Sequence, residues 1–277
     1  MDEPFHLHMV SDSTGETVSS VVRSVMSQFE KVEMEEHSWT LVRTRGQMER
    51  VLEGIRMYPG IVMYTIIDLE LQDALRHTCE DMDIPCVPLL ARPMREMSKF
   101  LGIKAREAPG RQHELDEEYF ARVDAINYTL AHDDGQHYDD LEKADIILVG
   151  VSRTSKTPTS VYLSYRGLNV ANVPFVSGCP LPDSLHHVQR PFVVGLVISP
   201  DRLLQIRKSR LLSLHEDRET PYVDLDEIKA EVLEARRFFN KKGWPVLDVT
   251  RKSVEESAAT IMQHYLKYKE ERKNNGR

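Results

Sequence analysis

Short apolar runs alternate with amphipathic stretches along the first part of the chain. The runs at 5–11, 37–43 and 60–66 are rich in β-branched and aliphatic residues and predict strands. The stretches at 47–57 and 69–83 repeat their apolar positions at helical spacing and predict helices. Alternating strands and helices are typical of an α/β protein, so we expect a doubly wound parallel sheet with right-handed crossovers.

A second α/β block follows a charged segment that contains a Pro-Gly pair. Residues 104–118 lose the regular pattern, and we predict a linker there. The expected N-terminal domain covers residues 1–115, and the expected second domain covers residues 116–277. In the second block the pattern predicts strands at 145–149, 170–173, 192–198 and 245–250, and helices at 119–131, from 156, at 199–212, at 225–239 and from 253.

Two capping-box patterns mark expected helix starts. Ser13 and Glu16 have the spacing at which a serine hydroxyl caps a helix while the glutamate returns to the serine amide. Ser253 and Glu256 have the same spacing before the last predicted helix. His6 and His8 lie on one side of the first predicted strand, and we interpret them as a partly buried pair.

The composition is that of an ordinary globular protein. Of the 277 residues, 41% are hydrophobic and 29% are charged, and the formal net charge is -8. This acidic balance disfavours a nucleic-acid partner. No apolar run is long enough to cross a bilayer and the N-terminus lacks a secretory pattern, so we expect no membrane partner. Three cysteines without a C-x-x-C pair favour a reducing cytoplasm over a disulfide framework or a zinc site.

The most informative motif joins the strand at 145–149 to the helix that follows it. Its letters GVSRTSKT match the spacing of a phosphate-binding P-loop, except that Ser155 replaces the usual second glycine. In such loops backbone amides and a lysine hold phosphate groups, and a hydroxyl binds Mg²⁺. We favour phosphate binding over a simple polar turn with a helix cap, because the strand–loop–helix context fits. The expected nucleotide-binding residues are Gly150, Val151, Ser152, Arg153, Thr154, Ser155, Lys156 and Thr157, with Thr157 as the candidate Mg²⁺ ligand.

Two further segments are candidates for phosphate contact. Arg202, Arg207 and Arg210 follow an apolar strand, where P-loop kinases often present arginines to the transferred group. An exposed helix face is the alternative for each of them. Ser13 and Thr14 lie in a polar turn after the first strand, a position where anions bind in α/β proteins, although an ordinary N-cap explains the same residues.

Adjacent acids precede the P-loop strand at the end of a predicted helix. A kinase needs one carboxylate to accept the proton of a hydroxyl nucleophile, and usually another to help hold Mg²⁺. Asp133 and Asp134, beside a glycine, are therefore candidate catalytic residues together with Lys156. A polar loop that ends the helix explains the acids equally well, and the sequence does not decide which of them would be the base.

Five motifs occur in order along essentially the whole chain: VSDSTGETV, NYTLAHDDG, GVSRTSKTPTSVYLSYRGLNVANVPFV, ISPDRLLQIRKSR and VTRKSVEESA. Together they resemble the pyruvate, phosphate dikinase regulatory protein family. The sister family of phosphoenolpyruvate synthase regulatory proteins is similar but typically has Cys-Gly before the loop lysine. This chain has Thr154 and Ser155 at those positions, which favours the dikinase branch.

The resemblance implies a P-loop kinase-like second domain and a bifunctional serine/threonine enzyme. Such an enzyme phosphorylates a threonine of the dikinase with ADP as the donor, and thereby inactivates its target. It also removes that phosphate with inorganic phosphate as co-substrate, which releases pyrophosphate. The dikinase is then the expected protein partner, ADP and Mg²⁺ are the expected small ligands, and residues 150–157 correspond to the family's nucleotide-binding segment.

Other functions use the same residues differently. One alternative is the same chemistry on phosphoenolpyruvate synthase, the target of the sister family. Another is an ATP-dependent P-loop kinase that phosphorylates a small molecule. A nucleotide-sensing module binds ADP without transfer. A dinucleotide-dependent dehydrogenase is disfavoured because no G-x-G-x-x-G follows the first strand. The N-terminal domain is the candidate docking surface for the target, and a homodimer is the working expectation for an oligomeric state that the sequence leaves open.

Overall fold

Two compact units make up the chain, Met1–Glu114 and Leu115–Arg277. Each unit contains a four-stranded parallel sheet, so the predicted α/β class is confirmed. Most of the predicted linker, residues 106–116, lies outside the described residues. The computed structural model describes residues 4–30, 32–105, 117–213 and 221–275.

The first unit alternates strands and helices around the strand order β2-β1-β3-β4. All neighbouring strands run parallel, and β1 is hydrogen-bonded to β2 on one side and to β3 on the other. The elements are β1 (Phe5–Ser11), α1 (Glu16–Met26), β2 (Met34–Trp39), α2 (Arg45–Met57), β3 (Gly60–Thr65), α3 (Leu69–Asp81), β4 (Cys86–Pro88) and α4 (Ala91–Leu101).

Successive residues of β1 face opposite sides of the sheet and support two separate cores. Leu7 and Met9 pack with Val18 of α1 in one core. Val10 belongs to the other core, which includes Leu75 of α3 and several residues of α2. Helices therefore cover both faces of this sheet, which explains why β1 and β3 read as nearly continuous apolar runs.

Several elements of the first unit differ from the sequence-based prediction. The strand predicted at 37–43 runs instead over Met34–Trp39, because this edge strand exposes Glu35 and Glu36 and has little apolar alternation. The sequence did not predict β4, which has only three residues. It also did not predict α4, although Met94, Met97 and Leu101 recur at helical spacing there; this helix contains no buried residue.

The capping box predicted at the first helix is wrong. Gly15 is the N-cap of α1 with φ of 84°, and no side chain makes a capping hydrogen bond there. Ser13 is buried, and its amide donates to Ser11 Oγ over 3.1 Å. Glycine reaches the left-handed region without a Cβ clash, so the turn ends at Gly15 and the helix begins at Glu16.

The second unit has the strand order β6-β5-β7-β8, again with every neighbouring pair parallel. Short 3-10 helices, which the sequence did not predict, cover Asp133–Gly135, Tyr138–Lys143 and Pro221–Val223. The longer elements are α5 (Glu117–Ala131), β5 (Ile146–Gly150), α6 (Lys156–Ser164), β6 (Val170–Pro174), α7 (Asp183–His187), β7 (Phe192–Val197), α8 (Pro200–Ser213), α9 (Leu225–Lys242), β8 (Val246–Asp248) and α10 (Val254–Asn275).

The capping box predicted at the last helix is confirmed. The amide of Glu256 donates to Ser253 Oγ over 3.1 Å, and the amide of Ser253 donates to Glu256 Oε2 over 2.7 Å. Two amides of the first turn thus find partners, and α10 packs its inner face against the sheet and α6. Among the described residues, none of the helices is both long enough and apolar enough to cross a lipid bilayer.

One core of the second unit surrounds β5 and β7, and α9 approaches β7 closely at Gly195. A Cβ atom at Gly195 would lie 2.2 Å from Cδ2 of Phe239, a ring that is fully buried. Glycine is thus needed here for the close approach of a strand and a helix, and not for an unusual backbone angle.

Gly195→Ala should destabilise the second unit by about 1–3 kcal/mol, since the added methyl group must displace the Phe239 ring. The chain has two tryptophans, Trp39 in the first unit and Trp244 in the second. Urea unfolding followed by Trp244 fluorescence in a Trp39→Phe background measures the loss. Gly46→Ala is the control because its Cβ meets no atom within 4 Å. An unchanged midpoint for Gly195→Ala would contradict the packing argument.

Candidate functional site

The loop of residues 150–157 lies at the carboxyl edge of the second sheet, where the strand order reverses. β5 is central, with β6 paired on one side and β7 on the other. This reversal leaves a crevice outside the carboxyl ends of parallel strands, which is the usual ligand site in open α/β sheets. Gly150 ends β5 and Lys156 begins α6, so the loop connects a strand to a helix as predicted.

Two residues other than glycine adopt left-handed conformations in the 150–157 loop. The φ angles are 73° at Arg153 and 60° at Ser155. Left-handed positions are typical of loops in which successive amides turn toward one anion. Gly150 is needed because a Cβ there would lie 2.7 Å from the carbonyl oxygen of Leu196 and 2.9 Å from Oγ1 of Thr154. The loop thus keeps a left-handed backbone at Ser155, although a serine stands where a P-loop usually has its second glycine.

Lys156 is buried, with only 6% of its surface exposed. Its Nζ donates to the carbonyl oxygen of Val151 over 3.0 Å. Burial lowers the pKa of Lys156 to about 8, although the negative charges of Asp134 and Asp133 act in the opposite direction. A bound anion beside this ammonium would replace part of the hydration that burial has removed.

The carboxylate of Asp133 lies at the start of α6. Oγ1 of Thr157 donates to it, with distances of 3.0 Å to Oδ1 and 3.2 Å to Oδ2. Nδ2 of Asn172, on β6, lies 2.5 Å from Asp133 Oδ1 and 3.0 Å from Thr157 Oγ1. The buried Oδ1 of Asn172 has no hydrogen-bond partner among the described residues. The carboxylate of Asp133 and the hydroxyl of Thr157 supply oxygen atoms, the ligand type that Mg²⁺ prefers.

A buried histidine holds the turn that carries the two acids. Nδ1 of His132 contacts the carbonyl oxygen of Tyr128 at 2.7 Å, and Nε2 contacts the carboxylate of Asp140. The hydrogen bond to His132 is the main cause that lowers the pKa of Asp140. The carbonyl oxygen of His132 accepts from the amide of Asn172 over 2.9 Å, which ties the turn to β6. Asp134 is exposed on this turn, with φ of 49°.

Arg207 on α8 is buried against the 150–157 loop. Its guanidinium pairs with Glu231 at 2.8 Å and lies 4.4 Å from the ring centroid of Tyr222. It also donates to the carbonyl oxygen of Ser152 over 3.4 Å, while its buried Nε lacks a hydrogen-bond partner within the described ranges. One of the three predicted arginines is thus fixed against the loop.

The other phosphate-contact candidates have different surroundings. Arg202 and Arg210 are exposed on α8, and Arg202 donates to Gln205 over 3.3 Å. Ser13 and Thr14 belong to the first unit and lie in the loop after β1. Their contact with phosphate stays a prediction.

Sequence reasoning missed three residues of this cluster. Asn172 had a signal, because it is the one amide side chain in the buried strand VANVP and a buried polar group needs a partner. Glu231 and Tyr222 had none, because each meets Arg207 only after α8 and α9 have packed together. Long-range contacts of this kind leave no local spacing in the sequence.

The cluster combines groups of opposite charge at one edge of the sheet. Loop amides, the N-terminus of α6 and Lys156 favour an anion. Asp133 and Thr157 offer oxygen atoms for a cation that could bridge to that anion. Exposed Asp134 can accept a proton from an incoming hydroxyl group. These are the components that phosphoryl transfer requires.

Comparison with known proteins connects this geometry to a family. The family described as kinase/pyrophosphorylase matches residues 7–262. A relative from Paramagnetospirillum magneticum is 50% identical over 97% of this chain and 86% of its own length. Relatives from Caulobacter vibrioides and Maricaulis maris are 49% and 48% identical over 93% and 94% of this chain, and over 82% and 93% of their own. All three carry, as a provisional assignment, the name pyruvate, phosphate dikinase regulatory protein.

Lys156→Met should remove a pH-dependent part of the stability of the second unit. The pKa of Lys156 is about 8 in the fold, below its ordinary value of 10.5, so the unfolded chain binds more protons between these values. Wild-type stability should therefore rise relative to Lys156→Met as the pH increases from about 7 to 10, by up to about 3 kcal/mol. Urea unfolding at several pH values measures this difference. Exposed Lys241→Met is the control, and parallel pH profiles for wild type and Lys156→Met would contradict the prediction.

Proposed function

Because the chain belongs to the kinase/pyrophosphorylase family, we propose that it is a bifunctional regulator of pyruvate, phosphate dikinase. In this proposal the protein transfers the β-phosphoryl group of ADP to a threonine of the dikinase and so inactivates it. The same site removes the phosphoryl group with inorganic phosphate and releases pyrophosphate. The single observation that carries the proposal is the buried ammonium of Lys156, set among loop residues and facing two carboxylates.

The anion-binding half of the site would hold the diphosphate of ADP. Amides of the 150–157 loop and Lys156 would contact the β-phosphate, which is the group that moves. Arg207 would stabilise the loop, since its guanidinium pairs with Glu231 and donates to the carbonyl oxygen of Ser152. Positioning of this kind, together with fixed positive charge, is the main source of catalysis in phosphoryl transfer.

The forward step forms one bond and breaks one. The hydroxyl oxygen of the target threonine bonds to the β-phosphorus of ADP, while the bond from that phosphorus to the bridging oxygen breaks and AMP leaves. The proton of the hydroxyl group passes to a carboxylate. We assign this base to Asp134, because its carboxylate is exposed to an incoming protein and its charge acts on Lys156.

Asp133 has a different role in this assignment. Its carboxylate is already engaged by Thr157 and Asn172, so it is a poor acceptor for another hydroxyl group. Asp133 and Thr157 would instead hold Mg²⁺, while Nδ2 of Asn172 holds the Asp133 carboxylate in position. The ion would neutralise phosphate charge that two neighbouring carboxylates would otherwise repel.

The reverse reaction needs no second site. An oxygen of inorganic phosphate bonds to the phosphorus of phosphothreonine, and the bond from phosphorus to the threonine oxygen breaks. Asp134 takes the proton of the attacking phosphate and passes it to the threonine oxygen, and pyrophosphate leaves. Inorganic phosphate would occupy the position that the α-phosphate of AMP holds in the forward direction, so the same amides and ammonium serve both reactions.

The identity of the target rests on two supports. The relatives' names point to the dikinase, and Thr154-Ser155 before the loop lysine, in place of Cys-Gly, favours the dikinase branch in the family resemblance of the sequence. The purified chain should move label from β-labelled ADP to purified dikinase, with AMP as the other product, and added phosphate should release labelled pyrophosphate. Labelling of phosphoenolpyruvate synthase alone, or transfer that needs ATP and a metabolite, would contradict the proposal.

Single substitutions separate the roles of the two acids. Asp134→Asn should lower transfer in both directions by at least about 100-fold while ADP affinity is retained, because only proton acceptance is lost. Asp133→Asn should weaken Mg²⁺-dependent ADP binding, measured by calorimetry with and without Mg²⁺. Exposed Asp139→Asn is the matched control and should behave as wild type. Normal turnover in both variants would reject the assignment, and loss of transfer with intact ADP binding in Asp133→Asn alone would reverse it.

A further inference from the structure

Four ionisable side chains share one face of the first sheet at its β2 edge. In the parallel pairing of β1 with β2, His6 lies opposite Glu35 and His8 lies opposite His37. Residues two apart on a strand point to the same side, so these four side chains form one polar patch. The sequence drew attention only to His6 and His8, because nothing local shows that β2 places two more candidate ligands beside them.

Three of these side chains converge on one point. Nε2 of His37 lies 3.1 Å from Nδ1 of His6, and Nδ1 of His6 lies 3.6 Å from Oε2 of Glu35. All three ligand atoms lie within 4.8 Å of one another. Metal–ligand bonds of about 2.0–2.2 Å in tetrahedral geometry place ligand atoms about 3.3–3.6 Å apart. The separations thus already approximate those of a metal site, with only a small rotation of Glu35 required.

His8 is not a ligand in this cluster, because its two ring nitrogens have other partners. Nε2 donates to the carbonyl oxygen of Tyr58 over 2.7 Å, and Nδ1 accepts from Nε1 of Trp39 over 3.2 Å. His8 therefore packs against the ring of His37 and holds it in place.

The candidate ligand rings are held in place by stacking. The ring of His37 stacks on His8 with centroids 4.6 Å apart, and on Tyr58 with centroids 5.2 Å apart. The ring of His6 packs against Tyr58 at 5.1 Å. Metal ligands that are already oriented before the ion binds lose little rotational freedom on binding. Such pre-organisation is typical of metal sites in proteins.

We propose that His6, Glu35 and His37 bind a zinc ion. Two imidazole nitrogens and one carboxylate oxygen form a set that suits Zn²⁺, whereas Mg²⁺ and Ca²⁺ prefer oxygen ligands alone. Three protein ligands leave a fourth position for water or a small anion. The ion would link the edge strand β2 to β1, and the site uses no residue of the proposed transfer reaction.

Zinc binding to the metal-free full chain tests the proposal. Titration against a chromophoric zinc chelator should show one tight site per chain, and Co²⁺ should give the visible absorption of a tetrahedral site. Glu35→Gln and His37→Gln should each weaken zinc binding by at least about 10-fold, since loss of a ligand costs at least as much as loss of a supporting contact. Glu35 is exposed, so Glu35→Gln should leave the fold unchanged.

His77 and Glu80 provide the matched control. They form a histidine–carboxylate pair at 3.5 Å on α3, close to the His6–Glu35 distance, and within the described part of the chain no third metal-binding side chain lies with them. His77→Gln should leave the tight site intact. In a Trp244→Phe background, zinc should also raise the unfolding temperature of the first unit, followed by Trp39 fluorescence. The rise should occur with the native ligands and with His77→Gln, but not with Glu35→Gln. Equal zinc affinity in wild type and Glu35→Gln, or no tight zinc site in wild type, would overturn the proposal.

Discussion

The buried ammonium of Lys156 is the interaction on which the candidate site depends. A cation removed from water is costly unless nearby groups replace its hydration. The carbonyl oxygen of Val151 and the charges of Asp134 and Asp133 replace only part of it, because the pKa of Lys156 still falls to about 8. A phosphate group would supply the missing negative charge. The loop is therefore electrostatically suited to an anionic ligand.

The two units share a strand topology but differ in the chemistry at its crevice. The orders β2-β1-β3-β4 and β6-β5-β7-β8 reverse at equivalent places. After β1 the chain buries Asp12, whose Oδ2 accepts from the amide of Ile67 over 2.8 Å and whose pKa is raised by burial. After β5 the chain buries Lys156 instead. The same fold thus presents a carboxyl group in one unit and an ammonium group in the other, which shows that function follows the site and not the topology.

Sequence patterns predicted the elements whose interactions join residues close together in the chain. The spacing of the 150–157 loop and the Ser253–Glu256 capping box could be read from the sequence because each is complete within a few residues. The edge strand β2 could not be placed, since exposed Glu35 and Glu36 interrupt its apolar alternation.

Contacts between residues far apart in the chain could also not be predicted from the sequence. The bond between Asn172 and Asp133 joins positions 39 residues apart, and Arg207 reaches the carbonyl oxygen of Ser152 across 55 residues. Such contacts exist only once the parallel sheet has brought β6, β7 and the following helices to one edge. Charge and motif context identified Asp133, Arg207 and Ser152 in the sequence. They did not identify Asn172, and they did not show that Arg207 contacts Ser152.

The loop also explains how a serine can occupy the position of a glycine. Each left-handed residue other than glycine costs about 1–2 kcal/mol, and Arg153 and Ser155 both adopt this conformation. The carbonyl oxygen of Val151 accepts two hydrogen bonds, from Thr154 Oγ1 over 2.9 Å and from Lys156 Nζ over 3.0 Å. At about 0.5–1.5 kcal/mol, the neutral bond from Thr154 offsets part of this strain. Ser155 is thus held in a glycine-like conformation by the residues on either side of it, Thr154 and Lys156, so the loop geometry depends on the hydroxyl and the ammonium together.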